Sequence, residues 1–227
     1  MTASVAFRGY KFALAELLLA GGILVVGVPT TQSAFETLRL QTRLNGATSP
    51  ENLDTGRDTG LVEIEQAVPP TAGAQRDLAY ALLALADSPA RSAADRQILL
   101  DRSVVEFRRY VGRVPGDGRA WAGLASAELA RGNAKSAEAA LKASILATPW
   151  SPSLVAWRCQ LGVDLFRELD DEGRDLVRSQ LRLQADRSIA VLVDIVTRRE
   201  AVHAARILLA SSPDELIAFE IELAKRK

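Results

Sequence analysis

Apolar positions along the chain first form one continuous run. Residues 12–28 read FALAELLLAGGILVVGV, in which Glu16 carries the single charge. A helix needs about 20 apolar residues to cross a bilayer core, with about 17 as the lower limit. The run therefore predicts a transmembrane anchor over residues 12–29. A cleaved signal peptide is the alternative, but its apolar core is shorter, and residues 29–34 offer no small-residue cleavage site.

Basic residues before the run predict its orientation. Arg8 and Lys11 lie just ahead of the apolar segment, and positive residues favour the cytoplasmic side. We expect residues 1–11 in the cytoplasm and the rest of the chain across a bacterial inner membrane, in the periplasm. Glu16 has two interpretations, because an intramembrane charge is costly. Either its side chain reaches the headgroups, or it contacts a partner within the membrane.

A second pattern starts at about residue 74. Before it, residues 30–73 carry turn signals such as Asn45-Gly46 and Pro69-Pro70, which predict a tether that can hold a short helix at 60–68. After it, apolar residues recur every three or four positions through to the end, a spacing typical of amphipathic helices. The helices expected in the last third cover 152–168, 174–187, 188–199, 200–210 and 213–225. No strand-like alternation persists, so the sequence predicts an all-α fold.

Helix boundaries are marked by capping signals. Ser151-Pro152 and Ser212-Pro213 place an N-cap residue before a proline at the first helical position. Ser212 with Glu215, and Ser92 with Asp95, have the spacing of capping boxes.

Composition narrows the classes of partner. Lys and Arg together number 28, as do Asp and Glu, so the formal net charge is zero. Phosphate backbones bind proteins with a basic excess, so nucleic acid is not the expected partner. The single Cys excludes a disulfide framework. Cys159 falls in an apolar helical stretch and is expected to be a small core residue.

An internal repeat appears in residues 117–149. Its members occur in a fixed order: Trp121, Leu124, Gly132, Ala137, Leu141 and Pro149. The two large residues would fill the space between two helices, the glycine would permit a tight turn, and the proline would stop the second helix. Part of the series recurs 34 residues earlier, as Ser103, Phe107 and Pro115.

This series resembles the tetratricopeptide repeat, a helix–turn–helix unit of about 34 residues. The resemblance implies an α-solenoid of stacked antiparallel helix pairs over residues 74–227, with its best repeat at 117–149. It also implies a groove, lined by the first helix of each pair, that binds peptides or partner domains. Ser126 and Glu128 are the candidate groove residues on the first helix of the best unit. Trp121 is expected to lie buried between helices.

Catalytic and metal-binding patterns do not emerge from the sequence. His203 is the single histidine, without a candidate nucleophile or metal partner nearby, and is expected to be structural. The acidic run at residues 170–172 lacks the alternating spacing of a calcium loop and is suited to starting a helix. We therefore expect no enzyme, no metal and no cofactor. The alternative is a non-catalytic subunit or a helical enzyme domain with a site between helices.

One basic ridge remains as a candidate docking site. Arg174, Arg178 and Arg182 recur every four residues on one predicted helix. Such charge runs are most often a solvated face. If functional, the ridge would receive a partner's carboxylates or, as a weaker alternative, an anionic glycan. The sequence as a whole predicts a membrane-anchored scaffold for a protein assembly in the envelope, such as polysaccharide export, pilus or respiratory-complex assembly. It does not choose among these pathways.

Overall fold

Helices account for the regular structure throughout the part of the chain that can be described. The computed structural model describes residues 71–89 and 91–226, and within them no strand occurs. In chain order the helices are α1 (Ala72–Ala86), α2 (Ala93–Arg113), α3 (Gly118–Ala130), α4 (Ala134–Ala147), α5 (Pro152–Asp164), α6 (Asp171–Arg198), α7 (Val202–Leu209) and α8 (Pro213–Ala224). The all-α prediction is thus confirmed for these residues. The predicted anchor at 12–29, Glu16 and the tether up to residue 70 lie outside them.

The first six helices form three antiparallel pairs. In α1/α2, the Ser103 hydroxyl donates to the Ala79 carbonyl at 2.9 Å. In α3/α4, the Ser144 hydroxyl donates to the Gly118 carbonyl at 2.6 Å. A small side chain at each position lets the two backbones approach closely enough for a direct hydrogen bond.

The third pair, α5/α6, depends on a glycine. A Cβ placed on Gly162 would lie 2.4 Å from a methyl group of Val177, which is itself buried. Val177 is β-branched and stiff at χ1, so it cannot move aside easily. The close approach of α5 and α6 therefore requires glycine at position 162.

We expect Gly162→Ala to destabilise the protein by about 1–3 kcal/mol through overpacking. Gly112→Ala is the matched control, because a Cβ at Gly112 meets nothing within 4 Å. In the control, the higher helix propensity of alanine should stabilise the protein by up to about 1 kcal/mol. Chemical denaturation of both variants measures the difference, and equal effects would contradict the packing argument.

Between neighbouring pairs, α3 packs against α2 and α5, and α4 contacts α5 and α6. Between α3 and α5, the Trp157 indole N–H donates to the Ser126 hydroxyl at 3.1 Å. Between α4 and the start of α6, the Asp170 backbone N–H donates to the Glu138 carboxylate at 2.8 Å. On α1, the Tyr80 hydroxyl donates to the Arg119 carbonyl of α3 at 2.8 Å, so the first helices α1, α3 and α5 form one layer, whereas α2 packs against α3.

The last two helices pack against α6, which is interrupted. At Ser188 the backbone is extended (φ −168°, ψ 100°), so two helical segments meet there. The Ser188 hydroxyl accepts from the Val191 N–H at 3.4 Å and caps the second segment. The sequence predicted separate helices at 174–187 and 188–199, and the break falls at that boundary.

The capping predictions had mixed outcomes. Ser92 caps α2 by accepting from the Asp95 N–H at 3.1 Å, as predicted. Ser151 and Ser212 precede helices with proline at the start, but neither side chain makes a cap hydrogen bond. The capping box predicted for Ser212 is therefore wrong. Its expected partner Glu215 pairs instead with Arg182 on α6, at 2.8 Å.

The predicted end of α5 was also wrong. The helix stops at Asp164 rather than at residue 168, and a turn follows in which the Glu168 N–H donates to the Leu165 carbonyl at 2.8 Å.

None of the helices in residues 71–89 and 91–226 combines the length and apolar character that a bilayer crossing requires.

Candidate functional site

The first-helix layer carries two adjoining pockets. The first pocket lies among α1, α3 and the first half of α2, and we call it the α1–α3 pocket. It has a volume of about 380 Å³ and is lined by Tyr80, Leu83, Ala84, Ala86, Asp87, Arg96, Leu100, Ser126 and Ala130. The pocket between α3 and α5 has a volume of about 250 Å³ and is lined by Ser126, Leu129, Ala130, Trp157, Gln160, Leu161, Asp164 and Arg199. Because Ser126 and Ala130 belong to both, we call the two pockets together the first-helix groove.

Apolar and aromatic side chains form most of the α1–α3 pocket. Tyr80 is held in place because its hydroxyl donates to the Arg119 carbonyl at 2.8 Å. Its ring meets Phe107 edge-on, with centroids 4.9 Å apart. Burial raises the pKa of the Tyr80 hydroxyl, so the group stays neutral. The ring, fixed by these contacts, forms one side of the pocket.

The α3–α5 pocket is more polar. Asp164 and Arg199 form an ion pair at 3.4 Å beside it. Burial raises the pKa of the Asp164 carboxyl, an effect that the Arg199 charge opposes. The indole of Trp157 is oriented by its hydrogen bond to Ser126. A hydroxyl, an indole and an ion pair therefore line this pocket.

The two candidate groove residues have different positions. Ser126 lines both pockets. Glu128 lies inside the fold and away from the groove, with 1% of its surface exposed. Its carboxylate binds Arg108 at 2.5 Å and Arg131 at 3.2 Å. It points to the second-helix side because residues two apart on a helix face different directions.

The residues of the sequence series differ in their burial. The buried members are Leu124, Ala137, Leu141, Ser103 and Phe107. Gly132 has φ +80° in the turn between α3 and α4, a conformation that glycine adopts without cost. Pro115 and Pro149 are exposed just after the ends of α2 and α4.

Trp121 is not buried between helices, so this sequence-based expectation is wrong. It is only half-buried, and its indole N–H donates to the Pro115 carbonyl at 2.8 Å. The side chain thus stabilises the loop between α2 and α3 through this hydrogen bond and does not fill the space between two helices.

The arginine ridge is largely engaged within the chain. Arg178 pairs with Asp175 and donates to the Leu208 carbonyl at 2.9 Å. Arg182 binds Glu215 at 2.8 Å. Both therefore connect α6 to the last two helices. Arg174 lies over the Phe166 ring, 6.0 Å from its centroid, and pairs with Asp171 at 3.7 Å.

The acidic run starts α6. The Asp170 carboxylate accepts from the Gly173 N–H at 2.7 Å, which makes it the N-cap. Lys142 on α4 binds Asp170 at 2.8 Å and Glu172 at 2.9 Å. These bonds lower the pKa of the Asp170 carboxyl. The prediction that the run initiates a helix is confirmed.

Sequence reasoning missed the most buried charge of the described residues. Arg158 on α5 is fully buried and binds the end of α4. It donates to the Ser144 carbonyl at 2.5 Å, the Thr148 carbonyl at 2.8 Å and the Thr148 hydroxyl at 2.7 Å. The C-terminal carbonyls of a helix carry partial negative charge. Because burial lowers the pKa of Arg158 only to about 10, the guanidinium stays charged at neutral pH.

His203 and Cys159 have opposite environments. His203 is exposed on α7. Cys159 is fully buried, and burial raises the pKa of its thiol. Within residues 71–89 and 91–226, no cluster of His, Cys, Asp or Glu is arranged to hold a metal ion.

Comparisons of the chain with protein-family models, with characterised proteins and with solved structures find no significant match.

Proposed function

We propose that the protein is a membrane-anchored, tetratricopeptide-like scaffold that holds a protein partner in the first-helix groove. The observation that carries the proposal is the continuity of the two pockets across α1, α3 and α5. A single pocket would suit a compact ligand. Two pockets that share Ser126 and Ala130 suit a peptide that extends from one helix pair to the next.

The layered packing supports this function. Stacked helix pairs create an extended binding surface when each pair contacts only its neighbours. The hydrogen bonds from Ser103 to α1 and from Ser144 to α3 are equivalent contacts in successive pairs. The partner would lay an apolar side chain into the α1–α3 pocket and polar groups near Ser126 and the Asp164–Arg199 ion pair.

The proposed setting is the bacterial envelope. The apolar run at 12–28, preceded by Arg8 and Lys11, supports a single-pass anchor with the helical domain in the periplasm. Zero net charge supports a protein partner over nucleic acid. In this proposal the chain acts in assembly or stabilisation of an envelope complex and is not an enzyme.

A groove-blocking substitution tests the proposal. Ala130 is exposed at the end of α3 and lines both pockets, so Ala130→Arg should obstruct the groove without harming the core. We expect recovery of the partner from detergent-solubilised membranes by the tagged full chain to fall about tenfold or more, as for loss of an interface hot spot. Quantitative mass spectrometry of the recovered proteins provides the measurement.

Ala139→Arg is the matched control, because Ala139 is exposed on α4 and lines neither pocket. It should leave recovery unchanged. Equal recovery with both variants, at equal helicity by circular dichroism, would reject the groove as the binding site.

A further inference from the structure

The outer surface of α8 carries an apolar stripe. Ile217 and Ile221 remain 59% and 55% exposed, whereas the opposite side of the helix buries Phe219 and Leu223. Residues three and four apart lie on one face of a helix. The face, which we call the outer stripe, consists of Asp214, Ile217, Ala218, Ile221 and Lys225.

The charges of the outer stripe are ordered along the helix. Asp214 lies in the first turn of α8, and Lys225 lies at its C-cap. Between them the stripe is apolar, and Ala218 in its middle is small enough to permit close approach of another helix. A helix running in the opposite direction would meet the acidic end with its own basic end.

The stripe is therefore complementary to itself in the antiparallel orientation. We propose that two copies of this chain associate through α8, antiparallel and related by a twofold axis. Twofold interfaces use the same patch on both subunits. Lys225 of the partner subunit would face Asp214, and Ile221 of the partner subunit would pack beside Ala218.

The other polar groups of α8 are compatible with this arrangement. Glu215 pairs with Arg182 and Glu220 with Arg206, both within the chain. Lys225 binds Glu222 at 3.0 Å, but its ammonium has three donors and is exposed enough to reach a second carboxylate. The inference does not depend on the first-helix groove, because none of the residues lining that groove belongs to α8.

The apolar part of the stripe can be tested by sedimentation of the full chain in detergent. The paired substitution Ile217→Ser and Ile221→Ser should raise the dimer Kd by about tenfold or more, because two apolar anchors are lost. The matched control replaces Ile98 and Val105 with Ser. These residues are 48% and 46% exposed on α2, and their substitution should leave the dimer Kd unchanged.

A charge swap tests the antiparallel orientation. Lys225→Asp should weaken the dimer, because it places carboxylates at both ends of the interface. Adding Asp214→Lys to the same chain should restore the dimer by exchanging the two charges. Circular dichroism checks that each variant keeps its helicity.

The outcomes separate the proposal from its competitors. Loss of the dimer in the Ser pair and recovery in the charge swap would support it. A monomeric wild-type chain, or a dimer insensitive to the Ser pair, would overturn it. A monomer that needs the stripe for binding to anionic lipid vesicles, or for recovery of a different protein, would assign the face to that partner and also overturn the proposal.

Discussion

Arg158→Ala is expected to destabilise the protein by about 3–5 kcal/mol. The substitution removes the charged donor from the Ser144 and Thr148 carbonyls, which keep only the backbone N–H groups of Thr148 and Ser151, and each hydrogen bond to a charged group contributes about 1.5–3 kcal/mol. It also leaves a cavity among α3, α4, α5 and α6, because the side chain contacts Gly118 and Gln180 as well. The midpoint and slope of urea denaturation measure the loss.

Two further variants show whether the hydrogen-bond pattern is responsible. Arg167→Ala removes an exposed arginine and should change the free energy of unfolding by less than about 0.5 kcal/mol. Arg158→Lys keeps the charge but replaces a planar fork with a single ammonium, so most of the destabilisation should remain. If lysine restored full stability, charge alone would explain the role of Arg158.

Phe107→Ala should be comparably severe, with a loss of about 3–5 kcal/mol. The ring is fully buried, meets Tyr80 edge-on and lies against Gly123, where a Cβ would come within 2.5 Å of it. Thermal or chemical denaturation provides the measurement.

The control for Phe107 comes from the same helix and from the repeat. Val105→Ala changes a residue that is exposed on α2 and should cost less than about 0.5 kcal/mol. Phe107→Leu introduces the residue found 34 positions later, at Leu141, and should cost less than about 1.5 kcal/mol. A loss below about 1 kcal/mol for Phe107→Ala would mean that the α1/α2 pair is not packed as described.

The helices were predictable because their burial is periodic. On α2, for example, Leu100, Val104 and Phe107 recur on one buried face. Burial of such a face stabilises each helix against its partner. The break at Ser188 falls at the boundary that the sequence predicts between the helices 174–187 and 188–199. Caps were less predictable. Ser212 has the sequence of a capping residue, but its expected partner Glu215 forms an ion pair with a residue 33 positions away in the chain.

Part of the candidate site could not be derived from local patterns. Pockets arise where helices distant in sequence diverge, so Ser126 was identifiable only through the repeat resemblance. The sequence pattern predicts the wrong position for Glu128, because a polar residue on a helix is expected to face solvent. In the fold, Arg108 and Arg131 pair with its buried carboxylate. For Arg158, the sequence does contain an indication of its role. Arg158 occupies an apolar position between Leu154 and Leu161 on α5, where only a fully hydrogen-bonded charge is stable.

The buried thiol of Cys159 provides a way to measure how often α5 opens locally. It is the single cysteine of the chain, and burial raises its pKa, so alkylating reagents reach no reactive thiolate while α5 stays packed. Labelling then requires a local opening of α5 that exposes the Cys159 thiol to solvent. The labelling rate at low reagent concentration therefore gives the free energy of that opening. It allows the opening of α5 to be followed in cells, in which equilibrium denaturation cannot be performed.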